Sequence, residues 1–252
     1  EIRRRIVRYF KGKINVEGFS GRSDLKTDDN PNKIRCLLWN CCGFVGQTVR
    51  TPDNSLLTLV AAIEPDIIIL NEIKAKEGDF ANVVRAIEGY EYLSIPSSAP
   101  KGRSMRGTAI VYRKCSKFSI KRAGQEEFGS DKNAPVIEAL AVDLQMTSGP
   151  KYRLIGSYVR GENKFFDEAL EIYKKLSING GTTIVAGDLN MDKNKFVGKW
   201  KTGGFIDSLA SIWATNRTRK TLTSIDYVMQ SGKKALICHR PIQPDDDSVH
   251  FP

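Results

Sequence analysis

An acid and an amide lie at the end of the apolar segment 184–190, which reads Ile-Val-Ala-Gly-Asp-Leu-Asn. Its β-branched residues favour a buried strand, and Gly187 lets the backbone turn sharply or lets another group approach closely. Because side chains alternate along a strand with a period of two, we expect Asp188 and Asn190 to point to the same side. Such a pair could hold a water molecule or a metal ion against a substrate.

Polar side chains also stand at the ends of other apolar segments, where ligands and reactive groups lie in α/β proteins. The sequence has neither the cysteine and histidine spacing of a zinc site nor the Gly-x-x-x-x-Gly-Lys pattern of a phosphate-binding loop. Carboxylate and amide oxygens suit Mg²⁺ or Mn²⁺, which bind through one or two carboxylates plus a substrate phosphate. Metal-assisted hydrolysis of a phosphoester is the chemistry that fits this set of side chains. The side chains in this set are those of Asn40, Glu72, Tyr158, Asp188, Asn190, Asp226 and His250.

The composition is that of an ordinary soluble globular protein, with 252 residues of which 40% are hydrophobic and 27% charged. No apolar run is long enough to span a bilayer, so no membrane partner is expected. The net charge of +10 favours a polyanion such as nucleic acid, although a merely basic soluble protein fits it equally well. Five cysteines without regular spacing indicate reduced thiols, which predicts an intracellular protein, nuclear or cytoplasmic.

Two regions differ along the chain. Residues 1–33 hold nine Lys or Arg and little apolar periodicity, and we interpret them as a basic N-terminal extension or linker. The segment 34–252 alternates strand and helix patterns early and late, with antiparallel-looking strands between, which predicts an α/β fold. The predicted strands are 34–39, 66–72, 108–112, 118–121, 136–144, 152–159, 182–186, 222–229 and 235–238, and the predicted helices are 55–63, 79–87 and 164–176.

Short motifs in 34–252 resemble, in type and order, those of the endonuclease/exonuclease/phosphatase superfamily. The most specific is Gly187-Asp188-Leu189-Asn190. The Thr/Arg-rich stretch 215–221, just before Ser224-Ile225-Asp226, is similar to retrotransposon endonucleases, in which the neighbouring loop meets DNA. The remaining motifs are Trp39-Asn40-Cys41-Cys42-Gly43, the segment 65–72 that ends in Glu72, Gly107-Thr108-Ala109-Ile110, Ser157-Tyr158, Thr223-Ser224-Ile225-Asp226-Tyr227 and Ser248-Val249-His250-Phe251-Pro252.

The resemblance implies a fold and a metal site. The fold is a four-layer α/β/β/α sandwich, in which two packed mixed β-sheets are flanked by helices. Glu72, with Asn40 nearby, would hold Mg²⁺ or Mn²⁺. Asp188 would orient or deprotonate the attacking water.

The resemblance also implies how the phosphate would be held. Asn190 and Tyr158 would bind the scissile phosphate. Asp226 would pair with His250, fixing its tautomer and favouring its charged form, so that the imidazolium stabilises the transition state.

The closing motif departs from the superfamily at Val249, where relatives carry an aspartate before the final histidine. Loss of a supporting carboxylate costs ~10–100-fold in metal affinity or activity. We therefore expect activity that is weak, more dependent on metal, or absent, unless a neighbouring acid such as Asp247 takes its place.

Basic side chains are expected to contact the phosphates of a nucleic acid. We accordingly expect a divalent-metal-dependent endonuclease that nicks double-stranded DNA, most like a retrotransposon endonuclease domain, with further domains in a longer polypeptide. The open alternatives are an abasic-site or deadenylase-like phosphodiesterase, a catalytically weakened nucleic-acid-binding module, and a phosphatase acting on soluble phosphoesters. The basic candidates are Arg103, Arg106, Arg160, Arg217, Arg219 and Lys220.

Overall fold

A computed structural model describes most of the segment after residue 33. The predicted extension 1–33 and the predicted strand 235–238 lie outside the described residues, and of the predicted helix 55–63 only Val60 is described, helical and buried. The described residues are 34–41, 43, 60, 64–85, 87–95, 107–115, 117–129, 135–147, 149–160, 163–191, 193–207, 216–217, 222–223 and 226–232.

The first sheet has four strands in the order β1-β2-β4-β3. Strands β1 and β2 are parallel, whereas β4 is antiparallel to both β2 and β3, so the sheet is mixed. Helix α1, Glu77–Val84, follows β2 and packs on the outer face of this sheet. The strands are β1 Cys36–Asn40, β2 Ile67–Asn71, β3 Tyr90–Ile95 and β4 Thr108–Arg113.

The second sheet has six strands in the order β5-β6-β7-β8-β12-β9, and only its β7–β8 pair is parallel. Strands β10 and β11 form a separate two-stranded ladder. Helix α2, Phe166–Leu176, is preceded by a 3₁₀ turn, Asn163–Phe165, and helix α3 spans Lys193–Thr202. The strands are β5 Phe118–Phe128, β6 Ile137–Met146, β7 Lys151–Val159, β8 Thr182–Asp188, β9 Ile206–Asp207, β10 Asn216–Arg217, β11 Leu222–Thr223 and β12 Asp226–Ser231.

Side-chain alternation along β2 shows how the layers are joined. Ile67 and Ile69 point between the two sheets, where they pack with Ile110 and Leu140. Ile68 and Leu70 point to the other face and pack against α1. The strand is therefore buried on both faces, as its continuous apolar sequence predicts.

Helices α2 and α3 cover the outer face of the second sheet through an aromatic cluster. The rings of Phe166 and Trp200 lie 4.4 Å apart, and Tyr173 stacks on Trp200 at 5.8 Å. The predicted fold, two packed mixed β-sheets flanked by helices, is confirmed.

Some elements differ from the sequence prediction. Strand β3 and helix α3 were not predicted, because Tyr90–Ile95 mixes polar and apolar residues and Lys193–Thr202 carries Lys at four of its ten positions. Strand β5 extends to Phe128, well past the predicted end at 121. The prediction for 222–229 merges two strands, Leu222–Thr223 and Asp226–Ser231.

Candidate active site

Strand ends from both sheets meet at one edge of the sandwich. In the first sheet, the parallel pair β1–β2 ends with Asn40 opposite Asn71, and Glu72 follows directly. In the second sheet, the parallel pair β7–β8 places Tyr158 opposite Asp188. Because parallel strands end at the same side of a sheet, each topology delivers polar side chains to a common edge.

The amide of Asn40 joins the two sheets at this edge. Its Nδ2 donates to Glu72 Oε1 at 3.1 Å and to Asp188 Oδ2 at 2.8 Å. The hydroxyl of Tyr158 donates to the same Glu72 oxygen at 2.9 Å. Four of the residues that the sequence singles out therefore form one hydrogen-bonded cluster, although they come from four different strands or strand ends.

Glu72 is the more accessible of the two carboxylates, with 16% of its side chain exposed. Burial alone would raise the pKa of Glu72, but the Lys74 ammonium and hydrogen bonds from Asn40 and Tyr158 outweigh it and lower that pKa. The Lys74 Nζ lies 2.5 Å from Glu72 Oε2. A carboxylate held ionised and reachable from solvent is suited to binding a cation.

The backbone of Glu72 is left-handed, with φ of +52°, a conformation that is uncommon outside glycine. Asn190 shares it, with φ of +49°. Such conformations cost of order 1–3 kcal/mol and persist where the surrounding structure holds them, which is frequent at functional sites.

Asp188 is fully buried at the end of β8. Its Oδ1 accepts from the backbone N–H of Asn190 at 2.9 Å. The prediction that one extended strand carries both Asp188 and Asn190 is wrong, because β8 ends at Asp188 and the φ of Asn190 is +49°. The Asn190 Nδ2 instead donates to the carbonyl of Val159 at 2.8 Å, next to Tyr158.

A buried polar chain behind the site was missed by sequence reasoning. The backbone N–H of Asp188 donates to Asn71 Oδ1 at 3.0 Å, and Asn71 Nδ2 donates to Thr108 Oγ1 at 3.3 Å. Thr108 in turn donates to Glu138 Oε2 at 2.9 Å, and Glu138 is fully buried. The available signal was Glu138, an acid among the otherwise apolar first six residues of strand β6, Ile137–Met146.

Other predicted residues are placed only in part. The backbone of Asp226 pairs with Asp188 across β12 and β8, which puts it at the same edge, while its side chain is not described. Arg160 follows β7 directly, and its N–H donates to the Val136 carbonyl at 2.7 Å. Arg217 lies in the β10–β11 ladder. Outside the described residues lie His250, Val249, Arg103, Arg106, Arg219 and Lys220, whose roles stay predictions.

The donor set fits a hard divalent cation bound through few protein ligands. In the described ranges, no three His, Cys, Asp or Glu side chains are grouped as a metal-binding set. Mg²⁺ does not need such a group, since it binds through one or two carboxylates and keeps several waters. The ammonium of Lys74 already sits on Glu72, which shows that this carboxylate attracts a cation.

Chemically, the cluster combines an ionised, partly exposed carboxylate, a buried carboxylate with fixed donors, and a phenol. One carboxylate can bind a cation while the other orients a water molecule, and the phenol can donate to an anionic oxygen. None of the helices in the described part of the chain has the length and apolarity to cross a bilayer.

Comparison with known proteins gives the following matches. A sequence model of the Endonuclease/Exonuclease/phosphatase family matches residues 37–248, and no curated protein matches the sequence. The AP endonuclease LMAP from Leishmania major has a TM-score of 0.66 at 16% identity, over 90% of this chain and 89% of that one. The human Nocturnin catalytic domain with bound sulfate gives 0.61 at 15%, over 86% and 90%. A family protein from Leptotrichia buccalis gives 0.60 at 14%, over 79% and 87%.

Proposed function

Because this chain belongs to the endonuclease/exonuclease/phosphatase family, we propose that it is a divalent-metal-dependent endonuclease that nicks DNA phosphodiester bonds. The observation that carries the proposal is the amide of Asn40, which donates to the carboxylates of both Glu72 and Asp188. Hydrolysis needs an oriented water molecule, a group that stabilises the negative charge of the transition state, and a stabilised leaving oxygen. Different site residues can supply each of these.

Glu72, supported by Asn40, would hold the Mg²⁺ or Mn²⁺. When bound, the cation supplies Lewis-acid polarisation of the phosphoryl oxygen and charge stabilisation at the leaving oxygen. The lowered pKa of Glu72 keeps this side chain ionised across the neutral range, as a cation ligand must be.

Asp188 would orient the attacking water and take its proton. Its Oδ2 receives the Asn40 amide and its Oδ1 the Asn190 N–H, so the carboxylate is fixed before substrate arrives. The water oxygen forms a bond to phosphorus as the bond to the leaving oxygen breaks. One fragment then ends in a phosphate monoester, and the leaving oxygen takes up a proton from solvent to become the hydroxyl of the other fragment.

Tyr158 and Asn190 would bind the non-bridging oxygens of the scissile phosphate, and His250, paired with Asp226, would stabilise their charge. The hydroxyl of Tyr158 lies 2.9 Å from Glu72 Oε1, so phosphate and cation would be held side by side. The assignment of His250 and Asp226 is supported by the closing sequence motifs alone.

Nucleic acid is the substrate class that the charge of +10 favours. The Thr/Arg-rich stretch 215–221 supports a retrotransposon-type endonuclease. The basic side chains that would contact the phosphates of the nucleic acid are Arg103, Arg106, Arg160, Arg217, Arg219 and Lys220. A longer parent polypeptide and a nuclear or cytoplasmic location belong to the same proposal.

Nicking of supercoiled plasmid tests the proposal. Conversion to the open circle is expected with Mg²⁺ or Mn²⁺ and not with EDTA, and Asp188→Asn and His250→Ala should each reduce it by ~100-fold or more. Glu171→Gln, which changes an exposed acid on α2, is the matched control. Undiminished nicking by Asp188→Asn would reject the assigned mechanism, and no nicking by the wild type in either metal would reject the activity.

Abasic DNA is the second candidate substrate, since the Leishmania major structure of similar fold is an AP endonuclease. A duplex with one abasic site, compared with its intact counterpart, distinguishes the two specificities. Cleavage only at the abasic site, with none in the intact duplex, would favour repair-type activity over general nicking.

A further inference from the structure

The exposed face of α3 carries positive charge that the site above does not use. Lys195, Lys199 and Lys201 are exposed, whereas Phe196 and Trp200 are buried. Helical periodicity puts Gly198 opposite the two aromatic rings, with Lys195 and Lys201 on either side of it and Lys199 at the margin beside Phe196. Helix α3 contains no acidic residue, so the charged side chains of the helix itself are all lysines.

The ammonium of Lys199 is held by aromatic rings rather than by a carboxylate. It lies 5.0 Å from the centre of the Phe196 ring and 5.7 Å from that of Phe166. Lys164, just before α2, lies 5.1 Å from the Phe165 ring. Cation–π contacts orient an ammonium without neutralising its charge, so it stays available to an anion. The acids Asp167 and Glu168 follow Lys164 in the sequence, so Lys164 is not grouped with the lysines of α3.

Gly198 lies on the same exposed face, between the lysines. A glycine in an exposed helix position costs ~1 kcal/mol relative to alanine. A Cβ there would meet no described atom within 4 Å, so packing gives no reason for the glycine. Because Gly198 has no side chain, the helix backbone is open there to close approach by a bulky anionic chain.

The position of α3 relates this face to the cluster at the sheet edge. The helix begins at Lys193, soon after Asp188 at the end of β8, and packs beside α2, which follows the strand that carries Tyr158. The rise of a helix separates Lys195 from Lys199 by roughly 6 Å along the axis. Because an extended chain spans at most about 3.6 Å per residue, the five steps from Asp188 to Lys193 keep the start of α3 within roughly 18 Å of Asp188.

We propose that the α3 face, formed by Lys195, Gly198, Lys199 and Lys201, binds the phosphodiester backbone of the nucleic acid beside the cleaved phosphate. The proposal rests on the proposed function, because it names where the same substrate extends beyond the site. Lysines bind phosphate as point charges and read no base, so this face supplies affinity and register but no sequence preference.

Two triple variants with equal charge change test the proposal. One carries Lys195→Gln, Lys199→Gln and Lys201→Gln. The control carries Lys121→Gln, Lys174→Gln and Lys175→Gln, on β5 and the last turn of α2. Binding of a fluorescent DNA duplex is followed by anisotropy in EDTA over a range of salt concentrations.

Loss of phosphate contacts should weaken binding by the α3 variant by about 10–100-fold and reduce the slope of log affinity against log salt by about 2–3. The control should change affinity by less than about threefold. Equal effects of the two variants, or no effect of either, would overturn the proposal. Gly198→Glu provides an independent variant, which should weaken binding while leaving the melting temperature unchanged or higher.

The outcomes for binding and for nicking are separable. A wild type that nicks, with an α3 variant of unchanged KM and salt dependence, rejects the α3 face and keeps the function. A wild type that binds duplex through α3 but never nicks rejects the function and keeps the α3 face. Lysine-dependent binding to phosphatidylserine vesicles without duplex binding would overturn the proposal in favour of a lipid surface.

Discussion

Asn40 Nδ2 donates to Asp188 Oδ2 at 2.8 Å, although the two residues are 148 positions apart and belong to different sheets. Each is the last residue of its strand, and both are buried. Since the same amide also donates to Glu72, the geometry of the site depends on how the two sheets pack against each other. Mutations at Asn40 therefore test the site and the sheet interface together.

Asn40→Ala should lower kcat for plasmid nicking by ~100-fold or more, since it leaves two carboxylates without their shared donor. Steady-state nicking rates over a range of Mg²⁺ concentrations would measure this effect. Gln145→Ala is the matched control, because that exposed amide donates to the Gly149 carbonyl. A wild-type kcat for a folded Asn40→Ala protein would show that the shared donor is not required.

The Thr108–Glu138 pair should be coupled in stability. Glu138→Leu is expected to cost about 3 kcal/mol, because Thr108 and the Gly107 N–H both lose a buried acceptor, and Thr108→Val about 1 kcal/mol. The double variant should cost less than the sum, since the hydroxyl that lacks a partner is removed as well. Urea unfolding of all four proteins gives the coupling energy, and strict additivity would mean that the bond does not contribute.

The sequence identifies the strands that deliver the site but not the turns that shape it. Continuous apolar character predicts β2, and the polar residue after it predicts Glu72 at a strand end. Neither pattern reports the left-handed backbone at Glu72 and Asn190, which tertiary contacts hold against local preference. Strand alternation does not extend past Asp188 and therefore could not predict the hydrogen bond from Asn190 to the Val159 carbonyl.

The polar chain behind the site shows a second limit. An acid inside β6 is visible in the sequence, but its partner Thr108 lies on a strand of the other sheet, 30 positions away. Local periodicity carries no information about which sheets pack together, so the Glu138 contact could not be derived from it. The order of the motifs predicted the fold, because it encodes long-range pairing that local patterns lack.

Stability should depend on pH through Asp143. Burial would raise the pKa of Asp143, but Lys151 at 2.9 Å and Arg153 at 2.9 Å lower it overall. A lowered native pKa stabilises the fold above the ordinary pKa of the carboxyl, and this stabilisation is lost as the pH falls towards the native value.

Asp143→Asn should therefore cost about 1 kcal/mol at pH 7 and progressively less below about pH 4. Thermal unfolding at a series of pH values would show the two curves converging in acid. Glu88→Gln, which alters an exposed acid that makes no ion pair within the described residues, serves as the control. A difference that persists unchanged at pH 3 would show that packing, and not charge, stabilises the native state here.

Gly187→Ala should damage both stability and activity. Gly187 pairs with Ser157 across β7 and β8, and an added Cβ would overlap the Ser157 carbonyl oxygen. Because backbone atoms of two central strands cannot give way, we expect a loss of about 3 kcal/mol or more and a shift of the adjacent Asp188. Differential scanning calorimetry would measure the first effect, and kcat at a temperature where the variant is folded would measure the second. Gly78→Ala, in open space on α1, should instead raise the free energy of unfolding by about 0.5–1 kcal/mol with kcat unchanged. Equal tolerance of alanine at the two positions would contradict the close approach of β7 and β8 on which the placement of Asp188 depends.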